Sequence, residues 1–249
     1  MGETYVEMEE DTYNPNILDT IKWSMVSHPE GWDKMTYHQM RQHFKCSAHG
    51  NDQTKPLPTL DEWNTLRQNY KDVVDPHSTF DEAVPPTEGY NYDGLGNPPP
   101  YYPKHSKGKG RGLFANRFIK KGELVDDGNK HAVIFPNATS FRKYTFSLPR
   151  KLACDIVEWP WTQILHKGGP LKIVVTLDIA ILCNSGSSTE LTNVMPIEKA
   201  TKGEHTSLKF FATRDVEKDE ELLMDYSIYR VSIIKCFVHI YIYYVFWEV

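Results

Sequence analysis

Beyond residue 100 the apolar residues fall into short runs, GLFANRF, GELVDD, HAVIFP, LKIVVTL, AILC and LKFFATR, each bounded by Gly, Pro or Asn. Runs of this kind read as strands. One helix interrupts them: SLPRKLACDIVEWPW carries Pro149 in a first-turn position, Leu152, Ile156 and Trp159 on one face, and Pro160 as a stop. Many short strands with few helices imply a compact, β-rich α+β fold.

The 249 residues are enough for one large domain or two small ones. Hydrophobic residues make up 40% and charged residues 24%, which excludes a disordered chain and a multi-span membrane protein. The net charge of −5 hides a division. Seven Lys and Arg face 17 Asp and Glu over residues 1–100, whereas 21 face 16 over residues 101–249. The chain changes character near residue 100, where VPPTEGYNYDGLGNPPPYYP supplies a natural boundary. Residues 1–100 read as an acidic leader with short helices. The firmest of these opens at a capping box, Thr59-Leu-Asp-Glu62, presents Trp63, Leu66 and Tyr70 at helical spacing and stops at Asp75-Pro76. The aromatic segment around Trp23, Met25, Trp32 and Met35 packs on something without declaring its form. Cys46, Cys154, Cys183 and Cys236 lie far apart with no CxxC spacing, so they signal neither a zinc cluster nor a disulfide framework, and reduced thiols are expected. The N-terminus has no basic start and no apolar core, so no secretory signal is read there.

The most specific stretch is SKGKGRGLFANRFIKKGELV over residues 106–125. A P-loop needs Gly-Lys-Ser/Thr after four spacer residues, and the dinucleotide and kinase loops need Gly where Leu113 stands. The dinucleotide fingerprint also needs a buried strand ahead of it, where this chain has PPPYYPKHSK. All three fail. Glycines at alternate positions expose main-chain amides and carbonyls, so that a flat polar ligand can lie against the backbone. A flexible basic turn is the plain alternative.

GKGRGLFA with KKGELV, then a central Asn segment, then ATRDVEKDEELLMDY, resembles the SET domain of protein lysine methyltransferases in order and spacing, over roughly Tyr101 to Ser227. The resemblance implies a SET-type fold of short sheets with a knot-like crossing. It also implies S-adenosyl-L-methionine as cofactor, contacted by Lys109, Gly110 and Arg111, with Gly112 serving the turn itself. Lys109 or Arg111 would meet the methionine carboxylate. The closing EELxYDY motif places Tyr226 at the catalytic position, with Met224 where the family has an earlier Tyr. The reaction implied is attack of a neutral lysine ε-amine on the sulfonium methyl, with no metal. The partner is then a protein substrate, histone or non-histone.

Two departures qualify the pattern. In place of Asn-His-x-Cys-x-Pro-Asn the chain has CNSGSSTELTNV: Asn184 keeps the first position, Ser185 replaces His, and Asn193 is a displaced counterpart of the last Asn. Asn184 and Asn193 are accordingly cofactor-binding candidates, and a catalytically inactive SET-fold interaction module is the second reading. After Tyr226 the chain continues YRVSIIKCFVHIYIYYVFWEV. Residues 228–249 form a hydrophobic tail that reads as a membrane anchor interrupted by charge, as a buried terminal element, or as translated intron beginning at Val231-Ser232. The expected organisation is a leader over 1–100, a SET-like domain over 101–227 and this tail, in an intracellular protein of nucleus or cytoplasm. A third reading takes the seven basic residues from Lys104 to Lys121, with no acid among them, as a nucleic-acid patch. Asn137-Ala-Thr139 is a glycosylation sequon of no consequence without a signal peptide.

Overall fold

A computed structural model of the protein describes residues 28–49, 55–80, 99–166, 169–186, 191–196 and 208–226. The segment around Trp23 and Met25, most of the Pro/Gly-rich linker and the tail after Tyr226 lie outside the described residues.

Among the described residues two α-helices precede the sheets. Thr36 and Thr59 each make a complete capping box, with Gln39 and Glu62 as reciprocal partners, and so start α1 (Tyr37–His43) and α2 (Leu60–Val73). α2 is the helix expected from its capping box, and it ends just before Asp75-Pro76. α1 escapes the sequence reading because Met40 is its sole buried residue, too few for an apolar period to show.

β1 (Tyr101–Ser106) and β2 (Gly110–Ala115) form an antiparallel hairpin in which Ser106 faces Gly110. The reading of PPPYYPKHSK as devoid of a buried strand is thereby corrected: Tyr101, Tyr102, Pro103 and Ser106 are buried in β1. Pro103 is tolerated because β1 is the edge of its sheet. That sheet continues through β10 (Glu221–Met224), β8 (Val194–Pro196), β9 (Lys209–Ala212) and β3 (Leu124–Asp127). β7 (Asn184–Ser185) also pairs with β10, in parallel, as β8 does. The closing strand therefore runs between the two ends of the 184–194 segment, which is the knot-like crossing. A second sheet joins β4 (Ala132–Phe135), β6 (Leu171–Thr176) and β5 (Trp161–Ile164).

Two helices, not one, separate these sheets. α3 (Ala138–Phe146) starts at the supposed sequon residue, Asn137, whose side chain accepts the Ser140 amide at 2.8 Å as an N-cap. α4 (Arg150–Glu158) follows Pro149 as expected. The AILC strand is not formed: Ile179–Leu182 is a 3-10 turn, because Leu182 and Ile179 point into the core from a tight connection at the foot of β7.

One core joins the leader to the sheets. Met40, Phe44, Trp63, Leu66 and Tyr70 from the first two helices pack with Phe135, Phe141, Tyr144 and Ile156. Tyr144 donates to the Leu66 carbonyl at 3.0 Å and Tyr70 to that of Ile134 at 2.8 Å. The expectation of reduced thiols is also corrected. α4 lies against the turn at 46–49 and brings Cys46 and Cys154, 108 positions apart, into a disulfide with Cα atoms 5.3 Å apart. Separation along the chain carries no information about such a pairing.

Candidate functional site

The glycine stretch folds as the tip of the β1–β2 hairpin. Gly108 and Gly110 sit at φ 79° and 76°, a left-handed region that side chains other than glycine adopt rarely, so these positions make the turn. Gly112 does something else. A Cβ there would lie 2.9 Å from Asn184 Nδ2 and 2.9 Å from Glu221 Oε1, so this glycine is needed for close approach inside β2 and not for the turn.

That approach assembles the predicted residues around Glu221. Asn184 Nδ2 donates to the Arg111 carbonyl at 3.0 Å and to Glu221 Oε1 at 2.9 Å, while Lys109 Nζ lies 3.8 Å from Glu221 Oε2. Glycine turn, Asn segment and closing strand are thus cross-linked in one place. Glu221 is a residue that sequence reasoning left without a role, though its place in the EEL motif was a usable signal.

Arg111 points elsewhere. Its guanidinium makes a buried two-point contact with Asp155 of α4, at 2.8 and 3.2 Å, and lies over the Trp159 ring. Lys109 keeps a partly exposed side chain at the hairpin tip. Arg117 is paired with Glu123, so acids meet Lys109, Arg111 and Arg117 within the supposed nucleic-acid patch.

Asn193 is fully buried, and its side chain is committed to the closing strand. Oδ1 accepts the Leu223 amide at 2.8 Å and Nδ2 donates to the Glu221 carbonyl at 2.9 Å. Its own amide donates to the Leu223 carbonyl at 3.0 Å. Replacing Asn193 by Ala takes a side-chain partner from two partly buried main-chain groups of β10, and should destabilise the protein by about 1–3 kcal/mol. Urea unfolding checks this, and an unchanged midpoint would show that the crossing does not depend on the side chain.

Beside this cluster lies a mostly apolar cavity of about 320 Å³, walled by Tyr101, Leu113, Trp159, Phe210, Leu222 and Met224 among others. Tyr226 stands at its edge and donates from its hydroxyl to the Cys183 carbonyl at 2.5 Å. Half of the residue's surface is exposed, yet the hydroxyl end is enclosed. Burial, reinforced by Cys183, holds that hydroxyl above the usual phenol range, so it stays protonated and acts as a donor. Burial likewise pushes the Cys183 thiol up to about 12. Ser185, at the position of the missing His, spends its hydroxyl on the Gly186 carbonyl.

The cavity also holds two carboxylates that the sequence reading passed over. Glu158 is met by Lys55 Nζ at 2.7 Å and by Arg41. Asp126 accepts the Tyr101 hydroxyl at 2.7 Å and lies 3.1 Å from His131 Nε2. Burial works against charge on His131, but Asp126 beside it and Asp178 beyond outweigh burial and the Arg67 charge, so its pKa is raised.

Comparison with known proteins agrees with this arrangement. The family model for the SET domain matches residues 110–227. Among solved structures, a Plasmodium falciparum protein described as a candidate histone methyltransferase is 22% identical over 51% of this chain and 93% of its own, with a TM-score of 0.32. A Chaetomium thermophilum Polycomb Repressive Complex 2 chain, in an autoinhibited conformation bound to S-adenosylmethionine, is 19% identical over 55% of this chain, with a TM-score of 0.36. This chain covers only 16% of that one. No curated protein sequence matches. The order of the motifs and the family match coincide on the same residues, and residues 110–227 of the chain are similar to the SET domain.

Proposed function

We propose that the protein transfers a methyl group from S-adenosyl-L-methionine to a lysine side chain of another protein. One observation carries this reading: the Tyr226 hydroxyl is fixed on the Cys183 carbonyl, at the edge of an apolar cavity, one residue from the Asn184 that is bonded to the glycine hairpin.

The residues present fit the cofactor. Residues 107–109 are exposed at the hairpin tip, and Lys109 and Glu221 offer one charge of each sign for a ligand that carries a carboxylate and an ammonium. The cofactor-binding set we assign is Lys109, Gly110, Arg111 and Asn184, with Arg111 contributing main chain because its guanidinium is engaged with Asp155. Asn193 belongs to the set by holding β10 in register, a positioning role.

S-adenosylmethionine supplies the activated methyl. The chain's own part is to receive a lysine whose free pKa is about 10.4, strip it of water and hold its lone pair in line. The Cys183 carbonyl and the Tyr226 hydroxyl orient the nitrogen. A histone or a non-histone protein can present such a lysine. We place the acceptor in the cavity and its protein outside it.

Ser185, engaged with Gly186 where the family has His, favours the second reading of a SET fold kept for protein interaction. Calorimetric titration of S-adenosylmethionine into the full chain separates the two. Saturable binding by the wild-type chain is expected, and Lys109→Glu at the exposed hairpin tip should weaken it without disturbing the turn that Gly110 makes. A folded wild-type protein with no binding would leave the interaction module standing.

A further inference from the structure

Two adjacent residues, Val125 and Asp126, both line the cavity. On a regular strand successive side chains point to opposite faces, so this requires an irregularity. The ladder between β3 and β9 supplies it: Leu124 faces Phe211 and Asp126 faces Phe210, a shift of register that leaves Val125 as an extra residue. A bulge of this kind re-aims the side chain that follows it. Here it turns a carboxylate into a chamber whose walls are mostly apolar or aromatic.

The surroundings keep Asp126 there. The Tyr101 hydroxyl donates to Oδ1 at 2.7 Å, and His131, from the end of the turn at Gly128–Lys130, approaches from behind. Glu158, the cavity's other acid, is met by two permanent cations, Lys55 and Arg41. Among the described residues, the cationic group that meets Asp126 is the His131 imidazole. A carboxylate in a mostly apolar wall, held by a hydroxyl and an imidazole, offers an acceptor that one incoming cation can satisfy.

We propose that Asp126 is the specificity-determining residue of the cavity, selecting a primary alkylammonium, the end of a lysine side chain, over a neutral chain of equal size. The inference rests on the reading of the cavity as the acceptor channel, and it does not involve S-adenosylmethionine. Asp126 is a recognition residue here, and Tyr101 and His131 position it.

The test uses side-chain mimics with the full chain, titrating n-butylammonium and 1-pentanol separately by NMR at low salt. The wild-type protein is expected to bind n-butylammonium at least tenfold more tightly, and Asp126→Asn is expected to erase that preference while leaving 1-pentanol binding intact. Glu158→Gln should retain the preference. Equal binding of the two mimics by wild-type protein would overturn the proposal whether or not any variant folds, as would a preference that survives in Asp126→Asn. Titration of S-adenosylmethionine into the same samples reports on methyl transfer separately, so failure of one reading is not mistaken for failure of the other.

Discussion

A chain that begins at residue 99 is expected not to fold, although it contains every described strand and all the residues that match the SET domain. Met40, Phe44, Trp63, Leu66 and Tyr70 are all buried in the core that the sheets share. At about 1.5–3 kcal/mol for each side chain, their removal forfeits roughly 8–15 kcal/mol. Stabilities of whole domains are about 5–15 kcal/mol, so the loss is of the size of the total. The polar losses point the same way. Tyr144 loses the Leu66 carbonyl, Glu158 loses Lys55 and Arg41, Asp178 loses Arg67, and Cys154 loses its disulfide partner. Circular dichroism and an amide correlation spectrum of residues 99–249 beside the full chain measure this. A dispersed spectrum with a cooperative melt would mean that the acidic leader is an appendage after all, as a boundary at residue 100 suggests.

Why that dependence was hidden is a matter of where the information lies. α2 announces itself locally, because a capping box and an apolar stripe are written within a dozen residues. The strands β2, β3, β4, β6 and β9 do so too, through bounded apolar runs. The glycine motif, the Asn segment and the closing Tyr were legible as a set because their order is that of the family. What remained unreadable depends on partners distant in sequence. β1 looks like a linker by composition and becomes a strand only because β2 pairs with it. Cys46 meets Cys154 only after α4 packs on the turn at 46–49. Asn137 is a cap because α3 follows, and α3 has too mixed an apolar pattern to be recognised beforehand. Asp126 faces the cavity because of a bulge, and a bulge has no sequence signature of its own here. Glu221 and Gly112 are intermediate cases: both lie in visible motifs, but their function is to make room for and to hold Asn184, three strands of contact that no spacing reveals.

Arg67→Met should be the most damaging single substitution in the leader, and its cost should depend on pH. Arg67 reaches from α2 to the foot of β6, where its guanidinium bonds Asp178 Oδ2 at 2.6 Å and the Leu177 carbonyl at 2.8 Å. Both side chains are buried, and taking one member from such a pair costs about 3–5 kcal/mol because the other charge is left alone. Asp178 is already strained in this sense. Its Oδ1 has no hydrogen-bond partner among the described residues, and burial, with the Asp126 charge added, raises its pKa against the pull of His131, Arg67 and the Ile179 amide. Without Arg67 that pKa rises further. An acid whose pKa is higher folded than unfolded binds more protons in the folded state, so stability falls as pH rises from the unfolded value, about 3.9, to the folded one. His131 adds in the same direction, since losing the Arg67 charge raises its pKa too, and stabilisation from a raised imidazole is lost as pH climbs through it. The gap between wild type and Arg67→Met should therefore be smallest in acid and widen towards neutrality. Urea unfolding of both proteins across pH 4–8 measures it, and a gap that is flat or narrows with rising pH would contradict this account of the pair. A double variant, Arg67→Met with Asp178→Leu, removes both charges and should recover a large part of the loss at every pH, because no buried charge is left alone, while the Leu177 carbonyl and the Ile179 amide lose their bonds and account for the rest.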